Sequence, residues 1–331
     1  MSDPTTPIQA VLMYDNEYSF QQAYDNLLEL EGKLAGAVQE FGPWKTLKGL
    51  SLPSLFAMAT DRNYITVERM DCHADLKGFQ SVLDNPLMAK FKPDQVEAVY
   101  DHRRAILIEV GCGSVPRFSM IFAQTKLAES LGPLGDFAPN YAEDQAGHEA
   151  RLKMVQRIAC VLINELAPSA IHWTQSDQLF DASTFQSLAV QEFPLPLYCG
   201  PSIYGGRELA NGQVEIGVHV LGSQSILGKL VTFKPDVLDW PKSYVICLSF
   251  IDYCRRQGRL VADNETFSLE EPDAPVLRVR HRNDFPGYVG DCIELSLDGR
   301  TLSDIQREES RGLTGWLKAK LSQPARPAIA Q

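Results

Sequence analysis

The chain has 331 residues, of which 44% are hydrophobic and 22% are charged, so a large core is expected and wholesale disorder is excluded. Its net charge of -11 argues against a nucleic-acid-binding surface, which needs clustered Lys and Arg, and suits a basic protein partner. At this length two lobes of similar size are the natural expectation.

The cysteines and the first residues indicate the compartment. Seven cysteines occur without a C-x-x-C pair, and some of them, such as Cys199 and Cys247, lie inside apolar runs. This pattern is typical of reduced, buried thiols. The start, MSDPTTPIQA, lacks the basic and apolar parts of a signal peptide, and no apolar run approaches the roughly 20 residues that span a bilayer. We therefore expect a cytoplasmic protein with no membrane segment.

The first part of the chain predicts the order β-α-β-β-α-β, as in ferredoxin-like or split β-α-β folds. Apolar periodicity, turn residues and a capping box define these elements. In order they are a strand over 8–14, a helix that follows the capping box of Ser19 and Gln22, strands over 55–60 and 64–70, a helix over 93–99 and a strand over 102–111.

A segment rich in Gly, Pro, Asp and Asn, 132–147, predicts a linker between two lobes. The N-terminal lobe then covers 1–131 and the C-terminal lobe 148–321, with a disordered tail over 322–331. Each lobe is predicted to be α+β, with a mostly antiparallel sheet covered by helices.

The elements predicted in the second lobe follow from the same signals, including an N-cap at Asp239 and a helix end at Gly258. Prolines weaken the strand over 192–199, which is expected at a sheet edge. The elements are a helix over 150–166, strands over 169–173, 192–199, 214–220, 276–282 and 292–297, and helices over 181–189, 239–258 and 303–321.

Four motifs of the second lobe resemble a bacterial family catalogued as domain of unknown function 4261. They are AIHWTQS (170–176), LPLYCG (195–200), EIGVHVLG (215–222) and the turn DNET (263–266). The chain departs from the family pattern where SQSILGK follows Gly222 in place of an acidic residue, and where Asn264 replaces a turn glycine. The resemblance implies the fold of the second lobe and carries no activity.

The densest Ser, Gln, Gly and aromatic content lies in 169–233, where apolar runs end at residues able to bind a ligand or partner. This stretch is the candidate site. The predicted binding residues are Trp173, Gln175, Tyr198, Tyr204 and His219. Core packing is the alternative for the three aromatic residues, because large aromatic side chains are usually buried.

No group of residues in the chain has the spacing of a known catalytic motif, so no catalytic residue is predicted. One alternative is left open. Ser202, in GPSIYG, could be a nucleophile activated by His172 or His219 if the fold brings them together. Pro201 precedes this serine and the glycine of a nucleophile elbow is missing. A turn in which Ser202 caps a backbone group is the competing interpretation.

We predict no cofactor and no metal. The run GSQSILGK (222–229) is one residue longer than a phosphate loop, and Leu230 stands where Ser or Thr would bind magnesium, so a simple loop is expected. The residues Asp71, Cys72, His73 and Asp75 could ligate a metal, but no second cluster at a familiar spacing completes a site, so a solvated turn is expected.

The leading hypothesis is a non-enzymatic, cytosolic bacterial protein that binds another protein. It would act as an immunity or adaptor factor for a basic partner, such as a secreted effector. Two other hypotheses stay open: an enzyme of unknown class, such as a hydrolase that uses Ser202 and a histidine, and a self-associating structural protein. Neither nucleic acid nor a membrane is expected as a partner.

Overall fold

The computed structural model describes residues 7–15, 27–43, 45–46, 55–60, 63–70, 73–112, 145–269, 274–285 and 288–301. Over these ranges the chain forms two lobes, each with a mostly antiparallel sheet and covering helices. The predicted α+β class is therefore confirmed.

The first sheet has seven strands in the spatial order β2-β3-β4-β5-β1-β6-β7, and all of its described pairings are antiparallel. The strands are β1 (Ile8–Tyr14), β2 (Lys45–Thr46), β3 (Leu55–Ala59), β4 (Asn63–Met70), β5 (Arg104–Cys112), β6 (Ala170–Trp173) and β7 (Gln178–Phe180). Strand β1 pairs with β5 on one side and with β6 on the other. Strands β6 and β7, which follow the predicted linker in the chain, therefore belong to the same sheet as β1.

Two helices cover one face of this sheet: α1 (Leu27–Ala37) and the helix that precedes β6. Strand β1 alternates, so that Ile8, Ala10 and Leu12 point to this face and are wholly buried. The apolar stripe of the long helix recurs at a spacing of three or four residues and packs against them.

Short helices cover the other face, where Met13, Ala170 and Leu179 are buried. These are a 3-10 turn (Leu76–Phe79), α2 (Gln80–Asp84), α3 (Pro86–Phe91) and α4 (Pro93–Asp101). The long helix on the opposite face is α5 (Gln145–Leu166), and α6 (Ala182–Ala189) follows β7. The carboxylate of Asp181 accepts a hydrogen bond from the Thr184 amide and caps α6.

The second sheet has six strands in the order β11-β12-β13-β10-β9-β8, and only the described pairing of β10 with β13 is parallel. The strands are β8 (Gly200–Glu208), β9 (Val214–Leu221), β10 (Leu230–Asp236), β11 (Thr266–Phe267), β12 (Pro275–Phe285) and β13 (Tyr288–Thr301). Val218 and Val231 are on the face that packs against Phe250 of a long helix, in one continuous core with the first sheet.

Two predicted elements of this lobe differ from the structure. The strand predicted over 192–199 is wrong, because the chain forms the short helix α7 (Leu195–Tyr198) and β8 begins only at Gly200. Pro196 lies in the first turn, where a missing N–H costs no hydrogen bond. The run after Gly222, expected to be a loop, is the helix α8 (Ser223–Leu227).

The last helix of the described residues is α9 (Trp240–Gln257), and both of its ends were predicted. Asp239 is the N-cap residue, and proline lies in the first turn. Gly258 ends the helix with a φ of 62°, a left-handed conformation that glycine adopts without strain.

Side-chain hydrogen bonds join the turn between β6 and β7 to the start of β8. The Gln178 amide nitrogen donates to Ser176 Oγ at 3.1 Å, to the Pro196 carbonyl at 3.0 Å and to the Cys199 carbonyl at 3.1 Å. A Cβ at Gly200 would lie 2.3 Å from the Ser176 carbonyl oxygen, so only glycine fits there. This junction positions β8, and with it the candidate site, relative to the first sheet.

Some predictions fall outside the described residues. These are the capping box of Ser19 and Gln22, most of the linker (132–144), the helix over 303–321 and the tail over 322–331. Residues 145–147 belong to α5. The lobe boundaries stay a prediction. Of the helices that the structure describes, none combines the length and apolar composition required to cross a membrane.

Candidate functional site

Three polar residues form a row across neighbouring strands of the second sheet. Ser202 on β8 is the register partner of His219 on β9, and His219 is the partner of Thr232 on β10. Side chains of directly opposite residues share one face, with Cβ atoms about 4.5–5.5 Å apart. The row therefore lies on the face opposite to Val218 and Val220, which belong to the core.

The imidazole of His219 is held from two sides. Its ring stacks on the ring of Tyr204, with centroids 4.0 Å apart, and its Nδ1 lies 3.1 Å from Thr232 Oγ1. Tyr204 donates its hydroxyl hydrogen to the Phe233 carbonyl at 2.9 Å. The residue opposite Tyr204 is Gly217, where a Cβ would lie 2.3 Å from the tyrosine Cζ. The missing side chain lets the phenol ring lie against the strand.

The row is electrically neutral at pH 7. Burial lowers the pKa of His219 to about 4, and burial raises the pKa of Tyr204. A neutral imidazole beside a serine hydroxyl is the form that a general base requires. Its low pKa makes it a weak base, because proton transfer is most efficient when the pKa lies near the working pH.

His172 is not part of this row. It lies on β6 of the first sheet, 3% exposed, with Nε2 3.1 Å from Asp177 Oδ1 and its ring 5.2 Å from that of Phe79. Ser202 lies on β8 of the second sheet. Of the two histidines predicted as possible bases, the strand register brings only His219 beside Ser202.

The predicted binding residues separate into three environments. Trp173 and Tyr198 are 0% and 1% exposed, so they fill the core and offer no surface to a partner in this structure. Gln175 is half-buried and ties two segments together, because its amide donates to the Pro7 carbonyl and its oxygen accepts from the Gln9 amide. Tyr204 and His219 are half-buried and in contact with each other.

A surface that the sequence analysis missed lies on α4. Asp94, Glu97, Tyr100 and Asp101 are all exposed, and together we name them the α4 face. They fall on one side of the helix because residues three, four or seven apart are neighbours on its surface. Val99 is wholly buried on the opposite side. The sequence of this helix, PDQVEAVYD, contains three acidic residues and neither Lys nor Arg, and this pattern predicts an acidic surface.

Two exposed aromatic residues lie in or near the acidic run, one within it and one before its start. Tyr100 is 53% exposed, and Phe91, which ends α3 just before α4, is 56% exposed. The ring of Phe91 lies 5.9 Å from that of Trp240, and Lys90 Nζ lies 5.3 Å from the Phe91 ring centre. Large exposed aromatic groups next to charged groups are typical of protein-binding surfaces.

The described members of the possible metal cluster make other contacts. The rings of His73 and His102 stack with centroids 4.0 Å apart, and the Asp75 carboxylate accepts from the Lys77 amide and caps the 3-10 turn. Within the described ranges, no three His, Cys, Asp or Glu side chains are grouped so that they could hold a metal ion. Asp71 and Cys72 lie outside those ranges.

Two clefts open on the surface of the second lobe. One, of about 340 Å³, is lined by residues that include Tyr253, Leu260 and Phe267. The other, of about 510 Å³, lies beside α9 and is lined by residues that include Phe193 and Arg255. Neither cleft is lined by Ser202 or His219, so the polar row lies apart from both.

Comparison with known proteins adds no family to this description. No protein-family model matches the chain, and neither a curated protein nor a solved structure with significant similarity to it was found. The resemblance of the second lobe to domain of unknown function 4261 stays a prediction, and the function has to be inferred from the surfaces and contacts described above.

Proposed function

We propose that the chain is a non-enzymatic protein-binding module of the bacterial cytosol, an adaptor or immunity factor whose partner is a basic protein. One observation carries the proposal: the α4 face presents three carboxylates and a 53% exposed tyrosine on a helix without Lys or Arg. The mixture of acidic groups and an exposed aromatic ring suits a partner surface rich in arginine.

The two components of the α4 face have different physical roles. The carboxylates, together with the net charge of -11, attract a basic protein over a distance and raise its association rate. The ring of Tyr100 offers a flat apolar surface on which a guanidinium group can stack. Few rotatable bonds are immobilised when a tyrosine binds, so the entropic cost of this contact is low.

A pull-down from the native host tests the proposal. The tagged chain is used to recover bound proteins at low and high salt, and a variant with Asp94→Asn, Glu97→Gln and Asp101→Asn serves as the comparison. We expect one basic protein in stoichiometric amount, released by high salt and absent with the variant, since the Debye length falls from about 10 Å at 0.1 M to about 3 Å at 1 M. Recovery of no stoichiometric protein at low salt would contradict the proposal.

A second candidate is a hydrolase that uses Ser202, and the register of β8 with β9 favours it. Ser202 stands opposite His219, whose Nδ1 contacts Thr232, in the order nucleophile, base and orienting group. A fluorophosphonate probe that labels Ser202 in the wild type, but not in Ser202→Ala, would support this candidate. Ser187→Ala, at an exposed position of α6, is the matched control. Absence of labelling at Ser202 would eliminate it.

Self-association stays a prediction alongside these proposals. Light scattering over a range of protein concentrations measures it directly, because a self-associating chain shows a mass that rises with concentration.

A further inference from the structure

The smaller of the two surface clefts, of about 340 Å³, lies where α9 ends beside the edge strand β11. Two aromatic rings line it, Tyr253 and Phe267, with centroids 5.4 Å apart. Tyr253 is 40% exposed, whereas Phe267 is buried and packs into the core. The apolar lining is completed by Leu260, Val261 and Val276. This size is at the small end of the ~300–1,000 Å³ range of ligand sites, so the cleft suits a small molecule with an apolar part.

One positive and one negative side chain line the same cleft, Arg259 and Glu265. Arg255, one turn earlier in the chain, pairs with Asp252. Arg259 differs from it, because within the described part of the chain its guanidinium group forms neither an ion pair nor a hydrogen bond. The Glu265 carboxylate accepts one hydrogen bond, from the Ala262 amide at 3.3 Å. Both charged groups can therefore still bind a ligand of opposite charge.

Backbone hydrogen bonds fix the positions from which the two charged side chains extend. At the end of α9 the Arg259 amide donates to the Cys254 carbonyl at 3.3 Å, past the left-handed Gly258. On the other side, the Glu265 carbonyl accepts from the Val279 amide at 3.0 Å, which ties the turn before β11 to β12. A ligand that binds between these residues does not have to order the backbone, and this lowers the entropic cost of binding.

We propose that this cleft binds a small zwitterion, an α-amino acid with an apolar side chain. The Arg259 guanidinium binds the ligand carboxylate, to which it can donate two parallel hydrogen bonds. The Glu265 carboxylate accepts hydrogen bonds from the ligand ammonium group, and the apolar side chain packs against the ring of Tyr253. None of the residues of the α4 face lines this cleft, so the site is separate from the surface proposed for the protein partner.

The first test is calorimetric titration with L-phenylalanine and with two analogues that each lack one charge. The first analogue, 3-phenylpropionate, has no ammonium group, and the second, 2-phenylethylamine, has no carboxylate. We expect one molecule of L-phenylalanine to bind per chain with a Kd below about 1 mM, and each analogue to bind at least about threefold more weakly. No binding of L-phenylalanine at about 10 mM, or an analogue that binds as tightly as it does, would overturn the proposal.

Two variants test which residue binds which charge. Arg259→Gln should weaken the binding of L-phenylalanine and 3-phenylpropionate at least about threefold and leave that of 2-phenylethylamine unchanged, because only the first two carry a carboxylate. Glu265→Gln should weaken L-phenylalanine and 2-phenylethylamine and leave 3-phenylpropionate unchanged. Both positions are exposed, and the glutamine oxygen can still accept from the Ala262 amide, so both variants should fold. An unchanged affinity for L-phenylalanine in either variant would contradict the proposal.

Arg207→Gln and Glu208→Gln are the matched controls, since they remove the same charges at exposed positions of β8 that do not line the cleft. We expect each control to bind all three compounds within about twofold of the wild type, because exposed charges at a distance are screened by salt. A control that weakens binding as much as its counterpart in the cleft would show that only net charge matters, and would overturn the assignment of the site.

Discussion

The imidazole of His219 and the phenol ring of Tyr204 are stacked nearly parallel, with centroids 4.0 Å apart and ring planes 9° apart. They come from adjacent strands, and the tyrosine ring lies over Gly217, its register partner. This glycine creates the space for the stack, because any side chain there would occupy the position of the ring. The pair gives the outer face of the second sheet a fixed geometry.

Replacement of Gly217 by alanine tests this arrangement. A Cβ at 2.3 Å from the tyrosine Cζ must displace the ring, so we expect Gly217→Ala to lower the free energy of unfolding by about 1–3 kcal/mol. Urea unfolding measures the change. In the background of Tyr204→Ala the same substitution should cost much less, and a cost that is additive in the double mutant would show that the ring does not lie over Gly217.

Gly32→Ala is the matched control, because nothing lies within 4 Å of a Cβ at that position in α1. Alanine is the better helix former, so this variant should be stabilised by about 0.5–1 kcal/mol.

The stability of the protein should depend on the protonation of His219. Burial lowers its pKa from 6.5 to about 4, so between these values the unfolded chain binds a proton that the folded chain does not. Stability is therefore unaffected by this residue above pH 6.5 and falls as the pH drops from 6.5 to 4. We expect the loss to be on the order of 1–3 kcal/mol, since the residue is partly exposed.

His219→Phe isolates this contribution, because it keeps a ring for Tyr204 to stack on and removes the titrating group. The free energy of unfolding is measured for both proteins at several pH values. As the pH falls from 6.5 to 4, it should decrease more for the wild type than for the variant. Burial also lowers the pKa of His102, which is present in both proteins and cancels. Parallel pH curves for the two proteins would contradict the prediction.

The junction between the two sheets should be sensitive to Gln178. Its amide donates to the Pro196 and Cys199 carbonyls, and Gln178→Leu removes both hydrogen bonds. The Cys199 carbonyl retains a bond from the Tyr244 hydroxyl. We expect a loss of about 1–2 kcal/mol in unfolding free energy, because the partly buried Pro196 carbonyl loses this hydrogen bond.

Gln80→Leu is the control for this substitution, since Gln80 is exposed and its side-chain amide donates to the nearby Asp84 carboxylate on the surface. A surface change of this kind should alter stability by no more than about 0.5 kcal/mol. Equal losses in the two variants would show that the hydrogen bonds of Gln178 do not stabilise the junction.

The elements that the sequence predicts correctly are those whose signals are local. The alternation in β1, the apolar stripe of α5 and the ends of α9 at Asp239 and Gly258 each depend on a few neighbouring residues. Strand pairing is not local. Strand β6 pairs with β1, although about 160 residues separate Ala170 from Leu12, and no nearby residue indicates that partner.

The candidate site was only partly predictable for the same reason. Side-chain type does not distinguish Trp173, which is wholly buried, from Tyr204, which is half-buried, because both lie in similar aromatic and polar surroundings in the sequence. The proximity of Ser202 to His219 follows from the register of β8 with β9, which the sequence pattern leaves open. The acidic run of α4, by contrast, was readable from its spacing alone.

The central claim, that α4 binds a basic protein, is tested most directly by measuring the affinity of the recovered partner for two variants with the same charge change. One carries Asp94→Asn, Glu97→Gln and Asp101→Asn. The other carries Asp15→Asn, Glu192→Gln and Glu208→Gln, at exposed positions outside α4. Both variants lose three negative charges, so long-range attraction changes by a similar amount in each.

We expect the α4 variant to bind at least about tenfold more weakly than the wild type, which corresponds to about 1.4 kcal/mol, and the control variant to bind within about threefold of it. Equal weakening by the two variants would mean that only the net charge matters. That result would contradict the assignment of the binding surface to α4.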